Sequence, residues 1–275
     1  MHTDTTVSGE LLARHEGHAV FLTLNRPDQR NALSLQMVGG LLAQLEQAEQ
    51  DPAIRALVLR GSGENFSAGA DVTDLLAAQQ RVEAGDSDAF ATMNRRFGEL
   101  LQRFECSPLV TIAALEGAIM GGGLGLACVA DIAIASETAR FSLPETRLGL
   151  LPAQVAPFIV ARIGSSQTRR LALAGASIGA GEALRIGLVH ASVKDARELD
   201  TAVAQQLAAV GRCAPDALAA TKRLLLDSSP VPLAGDLDQL LDHAARQFSD
   251  AVQGHEGREG TRAFIEKRPP EWQQQ

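Results

Sequence analysis

Two apolar periodicities alternate along the chain. Short, continuous apolar or β-branched runs at 18–25 (HAVFLTLN), 54–60 (IRALVLR) and 109–115 (LVTIAAL) read as strands. Between the first two, Ser34 is placed to cap a helix through Gln50, with Leu35, Val38, Leu41, Leu42 and Leu45 on one face and Asp51-Pro52 as its stop. The second run ends in the loop GSGENFSAGAD. A short helix from Val72, a polar turn near Gly85-Asp86 and a long helix to about Glu105 follow. The third run enters another glycine-rich turn, EGAIMGGGLG, and then a helix of small residues, LGLACVA. Short strands are expected at 131–135 and 140–142. Beyond Pro144 the pattern is mostly helical: 153–162, 166–173 and 180–186, a strand at 189–193, then helices at 195–212, 215–226, 234–251 and 256–266.

Strand and helix alternate through the first half, which predicts an α/β fold with mainly parallel pairing. The unit strand–glycine turn–helix occurs twice, at 54–76 and 109–130, and two turns of one winding would bring their glycine loops side by side. The last third has too few strands for an α/β unit of its own. The expected division is therefore a core over 1–200 and a helical region over 201–275 that packs on another subunit.

Composition narrows the function. The 275 residues are 45% hydrophobic and 21% charged, enough to bury a core and unlike a disordered chain. A net charge of -8 without a basic patch argues against nucleic acid and against anionic membrane surfaces. No apolar stretch is long enough for a transmembrane helix, and the polar, acidic start resembles neither a signal nor a transit peptide. Cys106, Cys128 and Cys213 lie far apart with no CxxC, which fits a reducing cytoplasm and neither a disulfide framework nor a zinc site.

The two glycine loops, 66–71 and 119–125, are the first candidate chemistry. Glycine lets backbone N–H groups face a ligand, and a helix starting just after the turn adds free donors and a favourable dipole. One N–H from each loop makes an oxyanion hole; tight turns and close helix packing would equally account for the glycines. Phosphate motifs do not fit: there is no GxxxxGK[ST], and Leu126 occupies the sixth place of a GxGxxG beginning at Gly121. Gly175-Ala176-Ser177-Ile178-Gly179 matches G-x-S-x-G, but a helix rather than a strand is expected before Ser177. His15 and His18 read as turn residues and His190 as a satisfied core histidine. Among the carboxylates Glu145 stands out. It follows Pro144 and precedes LGLLPAQVAPFIV, where an apolar setting would raise its pKa for acid–base work; a helix N-terminal Glu on the dipole is the plainer alternative.

LNRPDQRNALS, NFSAGADV, EGAIMGGGLGLACVADIAIAS and FSLPETRLGLLPA, in this order and spacing, resemble the enoyl-CoA hydratase/isomerase (crotonase) superfamily over about residues 10–268. The resemblance implies a spiral of ββα units with a helical C-terminal trimerisation region, commonly a dimer of trimers. It also implies an acyl-CoA thioester substrate and a stabilised thioester enolate. No metal or redox cofactor is implied, coenzyme A being part of the substrate. Carried over by position, the oxyanion donors fall on Ala70 and Gly122, with Gly121 beside them. CoA contacts fall on Arg26, Arg30, Ala68, Ala70, Asp71 and Val72, and Phe264 and Lys267 match a pair that reaches the adenine end. Glu145 matches one of the two glutamates of the hydratases. The other falls on Gly125, which has no acid–base group, and Glu116 is the nearest other carboxylate in sequence.

The stretch LPAQVAPF replaces PGAGGTQ and looks like hydratases of branched glutaconyl-CoA esters. The small residues 121–125 are expected to leave room for a bulky chain, the more so without a glutamate at 125, and Arg147 or Arg162 to meet a distal carboxylate. A single glutamate also suits a double-bond isomerase. A non-catalytic acyl-CoA binding protein and a thioesterase acting through Ser177 complete the alternatives.

Overall fold

In a computed structural model, which describes residues 5–228 and 236–273, the chain builds one large sheet and a small second ladder. The large sheet runs β1(Thr5–Ser8), β2(Leu11–Glu16), β3(Ala19–Leu24), β4(Ala56–Gly61), β5(Val110–Leu115), β7(Ile132–Ser136) and β10(Ala191–Val193), in that order. From β3 to β10 every pairing is parallel, whereas β1, β2 and β3 form an antiparallel meander. The parallel strands were legible because both their faces are covered. β2 was not, although Leu11 and Ala13 point into the core and alternate with less buried neighbours.

The small ladder positions the site. β6(Ala118–Met120), β8(Arg140–Ser142) and β9(Ser177–Gly179) pair in that order, and two isolated bridges, Ser67↔Ile119 and Leu33↔Ala70, extend it. Each turn of the spiral thus adds one rung: 33, then 67–70, then 118–120, then 140–142, then 177–179. The two glycine loops lie on adjacent rungs, as the repeated unit predicts. β6 and β9 went unforeseen because three residues carry no periodicity. Their pairing depends on partners remote in sequence.

Helices cover the sheet. α1(Leu35–Gln50), α3(Ala89–Cys106) and α5(Ala156–Ala174) enclose the main core with α4(Gly122–Val129). Ser34 caps α1 by accepting from Met37 N–H (3.0 Å). α5 joins the two helices expected over 153–173, with a break at Gly164 (φ 73°). α4 is buried from Gly123 to Val129, as a helix apolar on all sides must be. α2(Val72–Glu83) starts just after the first glycine loop, and α6(Ala180–Arg185) follows β9.

The C-terminal helices are α7(Ala196–Val210), α8(Pro215–Asp227), α9(Leu237–Gln253) and α10(His255–Ile265). The boundary expected between 200 and 201 falls inside α7, whose Leu199 and Val203 pack together on one sheet face. α9 and α10 pack within the chain as well. They fold back on their own chain, Leu237 and Leu241 joining the main core, because α9 presents an apolar stripe that α3 completes. The start expected at Ala234 lies outside the described residues. Among the described residues no helix is long and apolar enough to cross a membrane.

Candidate active site

Three consecutive rungs end at one place. On the first, Leu33 N–H donates to Gly69 O (2.7 Å) and Asp71 N–H donates to Leu33 O (3.2 Å). Ala70, the residue bridged to Leu33, therefore turns its own N–H toward the next rung. On the second, Gly121 N–H donates to Ser142 O (3.1 Å), and Gly122 opens α4, where N–H groups have no intrahelical acceptor. On the third, Glu145 follows β8 by three residues and begins a short 3₁₀ turn, Glu145–Leu148.

Glycine is required at the junctions. Gly69 has φ 96°, and a Cβ there would stand 3.0 Å from Met120 O and 3.6 Å from Gly122 N. Gly121 has φ 49°, and its Cβ would stand 2.9 Å from Glu145 Oε1. Both loops and the carboxylate are thus in contact across the bare backbones of residues 69 and 121.

The carboxylate stands in an apolar setting. Its Oε2 is shielded from solvent with no hydrogen-bond partner among the described residues. Burial pushes the group up to about 7, its own backbone N–H opposing weakly. The apolar-loop reading of Glu145 therefore describes its surroundings better than the helix-dipole one. Glu105 is also pushed to about 7 by burial, against Lys222. It lies elsewhere, beside the Asp131–Lys222 ion pair (2.8 Å) in a cavity at the other end of α4.

Position 125 corrects an expectation. A Cβ on Gly125 would lie 2.7 Å from Val155 Cγ1 and 3.0 Å from Leu101 Cδ1. The volume of the absent glutamate is filled by these two buried side chains and adds no room. Phe97 closes the next turn: a Cβ on Gly122 would lie 2.9 Å from its Cζ. A separate apolar cluster of Ala78, Phe90, Leu150, Phe248 and Val252, with Met93, Leu148 and Ala153 against it, packs beside the segment that follows Glu145.

The other sequence candidates separate. Arg26 ion-pairs with Asp71 (2.5 Å) and Glu10 (3.2 Å) and donates to Ala32 O (2.9 Å). Burial raises the Asp71 carboxyl, but the Thr73 hydroxyl and amide together with Arg26 outweigh it and hold the group below its ordinary value. Asp71 also caps α2, so this pair braces the first loop. Arg30 is exposed, and Ala68 and Val72 are half-buried at the same loop. Phe264 is exposed on α10, with Lys267 just beyond. Gly260, one turn before Phe264, packs on Leu148 of the Glu145 segment, where a Cβ would meet Leu148 O at 2.3 Å.

Neither arginine expected to meet a distal carboxylate reaches the site. Arg147 covers the turn at Gly175. Arg162 donates to Ala127 O (3.4 Å) and Ala130 O at the C-terminal end of α4, where a cation suits the exposed carbonyls. Glu116 is pushed up by burial, with Arg60 opposing and Asp200 adding to it, and so belongs to a different charge cluster. Ser177 is exposed at the start of β9, after the C-cap Gly175, in a context unlike a nucleophile elbow. His190 accepts from Ala133 N–H (2.9 Å), so its ring is satisfied as expected, but the residue is exposed and lies outside the core.

A buried glutamate against the Gly121 turn, where adjacent spiral rungs meet, coincides with the family comparison: the family model described as enoyl-CoA hydratase/isomerase matches residues 15–275. The chain belongs to the enoyl-CoA hydratase/isomerase family. It is 35% identical over 257 residues to a putative enoyl-CoA hydratase of Thermus thermophilus, covering 93% of this chain and 97% of that one. It is 34% identical to the 2,3-dehydroadipyl-CoA hydratase of Escherichia coli, covering 96% and 98% of the two chains. Among solved structures, Pseudomonas aeruginosa AtuE is 51% identical over 96% of this chain and 99% of that chain, with a TM-score of 0.77. These relatives confirm the α/β crotonase fold expected from the motifs.

Proposed function

We propose that the protein hydrates a branched 2-enoyl-CoA thioester of the isohexenylglutaconyl- or 3-methylglutaconyl-CoA type to the 3-hydroxyacyl-CoA. Enoyl-CoA hydratase activity is supported by family membership and by the hydratase relatives. One observation carries the mechanism: a solitary buried carboxyl, pushed up to about 7, against the Gly121–Gly122 turn. A base with a pKa near the working pH combines a useful ionised fraction with the strength to take a proton.

In this reading the thioester oxygen lies between the N–H groups of Ala70 and Gly122. Ionised Glu145 takes a proton from water as the water oxygen bonds to C3. Electrons move from the C2–C3 double bond onto the thioester oxygen, where the two donors meet the growing charge; one such donor is worth about 10²–10³ in rate. Glu145 then returns its proton to C2 on the same face. Water is thereby added in full, and the enzyme ends as it began. No metal or redox group takes part.

The branched acyl group rests on LPAQVAPF, the segment that supplies Val155 at position 125. The distal carboxylate rests on the same resemblance, since Arg147 and Arg162 lie elsewhere. For the CoA moiety the reading keeps Arg30, Ala68, Val72, Phe264 and Lys267 as contacts and makes Arg26 and Asp71 the brace of the loop. The expected homotrimer or dimer of trimers is supported by α8, none of whose residues is buried and whose Leu224 and Leu225 are each 66% exposed.

The test is mass spectrometry of products from crotonyl-, 3-methylglutaconyl- and isohexenylglutaconyl-CoA in H₂¹⁸O. Labelled hydroxyacyl-CoA, formed fastest from a branched ester, is expected. Unlabelled product with a moved double bond would overturn hydration, and preference for crotonyl-CoA would overturn the branched substrate. Because Glu145 acts ionised, kcat/KM rises with pH through about 7 and then levels. A profile flat from pH 5.5 to 8.5 would contradict that role.

A further inference from the structure

With Gly125 walled off, hydration by Glu145 leaves open what else holds the attacking water. The helix opposite α4 supplies an answer. α3 and α4 run in the same direction where they touch, because Phe97 faces Gly122 and Leu101 faces Gly125. One further turn back along α3 is Asn94. At a rise of about 1.5 Å per residue it lies some 4–5 Å beyond Phe97, past the first residue of α4 and level with the turn where Glu145 stands. Packing agrees: Phe90 and Met93, neighbours of Asn94 on α3, cluster with Leu148, Leu150 and Ala153, which follow Glu145.

Asn94 Oδ1 is shielded from solvent and has no hydrogen-bond partner among the described residues. The same is true of Glu145 Oε2 and of Gln154 Oε1. Gln154 donates to Leu241 O (2.9 Å), and its Oε1 lies 1.8 Å from where Gly98, four residues after Asn94, would carry a Cβ. Bare acceptors thus gather on the α3 face and the Glu145 segment that border the site. A shielded, unpaired carbonyl oxygen costs roughly 1–3 kcal/mol, so its natural complement is a molecule with hydrogens to give.

Resting on the hydratase reading above, the geometry points to the Asn94 carboxamide as the second acceptor of the attacking water, the part that position 125 does not play here. Water gives one hydrogen to Glu145 and the other to Asn94 Oδ1, which aims a lone pair at C3. Asn94 accepts a hydrogen bond and takes no proton, so acid–base chemistry stays with Glu145. It is a catalytic residue in that it touches the reacting water. The sequence carried a faint signal, a polar residue three and seven positions before Phe97 and Leu101 on an otherwise apolar helix face.

The experiment compares Asn94→Ala and Asn94→Asp with the wild type in two assays. One is ¹⁸O-water addition to the best enoyl-CoA ester. The other is exchange of the C2 protons of butyryl-CoA into D₂O, which needs the oxyanion donors and Glu145 but no attacking water. Asn94→Ala is expected to lower kcat for hydration about 100-fold, the scale of a lost positioned hydrogen bond, with KM within about threefold and C2 exchange unchanged. Asn94→Asp keeps an acceptor oxygen and is expected to recover at least a tenth of the wild-type rate, on the order of the partial loss from imperfect geometry. Hydration by Asn94→Ala within about threefold of the wild type overturns the assignment and leaves the hydratase reading intact. Equal loss of both reactions in Asn94→Ala and Asn94→Asp also overturns it, in favour of a structural role. A wild type that exchanges C2 protons but incorporates no ¹⁸O overturns both readings.

Discussion

Glu145→Gln abolishes hydration while acyl-CoA binding persists. Glutamine has the shape of a protonated glutamate, so the contact with Gly121 and the packing on α10 survive, whereas no atom remains to take the water proton. Because Gly125 offers no substitute, the loss is expected at or above about 10³-fold in kcat, toward the upper end for a removed acid–base group. Binding of butyryl-CoA, measured by calorimetry, should stay within about threefold of the wild type. Turnover within tenfold of the wild type would remove Glu145 from the mechanism.

The same substitution has a thermodynamic signature. Glu145 is raised from 4.5 to about 7 on folding. Below pH 4.5 the group is neutral in both states and costs nothing. As pH rises from 4.5 to 7 the unfolded chain ionises first, so folding stability is lost over that window and the cost then levels. The full cost is on the order of 3 kcal/mol for a shift of this size. Glu145→Gln should therefore raise the melting temperature at pH 8 and leave it nearly unchanged at pH 4.5. An equal effect at both pH values would show that the carboxyl is not held out of water.

Gly125→Glu, which restores a two-glutamate pattern in the sequence, is expected to unsettle the fold and gain no activity. Its Cβ would meet Val155 Cγ1 at 2.7 Å and Leu101 Cδ1 at 3.0 Å, both on buried residues, and the carboxylate beyond would be buried without a partner. Overpacking costs about 1–3 kcal/mol and an uncompensated buried charge about as much again, for a total near 4 kcal/mol. That is about 10 °C in melting temperature for a chain of this length. Gly125→Ala isolates the first contribution. Helix propensity alone would make it stabilising by about 1 kcal/mol, so a net loss measures the clash. Adding Val155→Ala to Gly125→Glu removes the nearer obstacle and should restore part of the stability. A Gly125→Glu protein that melts with the wild type and hydrates faster would refute the filled wall.

How much of this was legible beforehand differs by element. Long amphipathic helices and two-sided strands were plain, since one face or both must be apolar wherever they pack. β6 and β9, three residues each, were not, because their pairing depends on chain returning from more than twenty residues away. Glu145 was singled out by Pro144 and the apolar stretch after it. Asn94, Gln154 and Leu101 were missed because helix periodicity says which face is buried without saying what that face meets.

The sequence by itself determined the winding and the chemistry it can carry. Repeated strand–glycine–helix units impose parallel rungs, glycine at 69 and 121 permits backbones and a carboxylate to touch, and one glutamate follows the next rung. The tertiary structure alone decided what surrounds that glutamate. It placed Val155 and Leu101 in the volume at 125, tied Arg26 to Asp71, sent Arg162 to the far end of α4, and folded α9 and α10 onto their own chain. The physical reason is that local propensity and periodicity act within a few residues, whereas burial, desolvation and charge pairing depend on neighbours that only the closed spiral brings together.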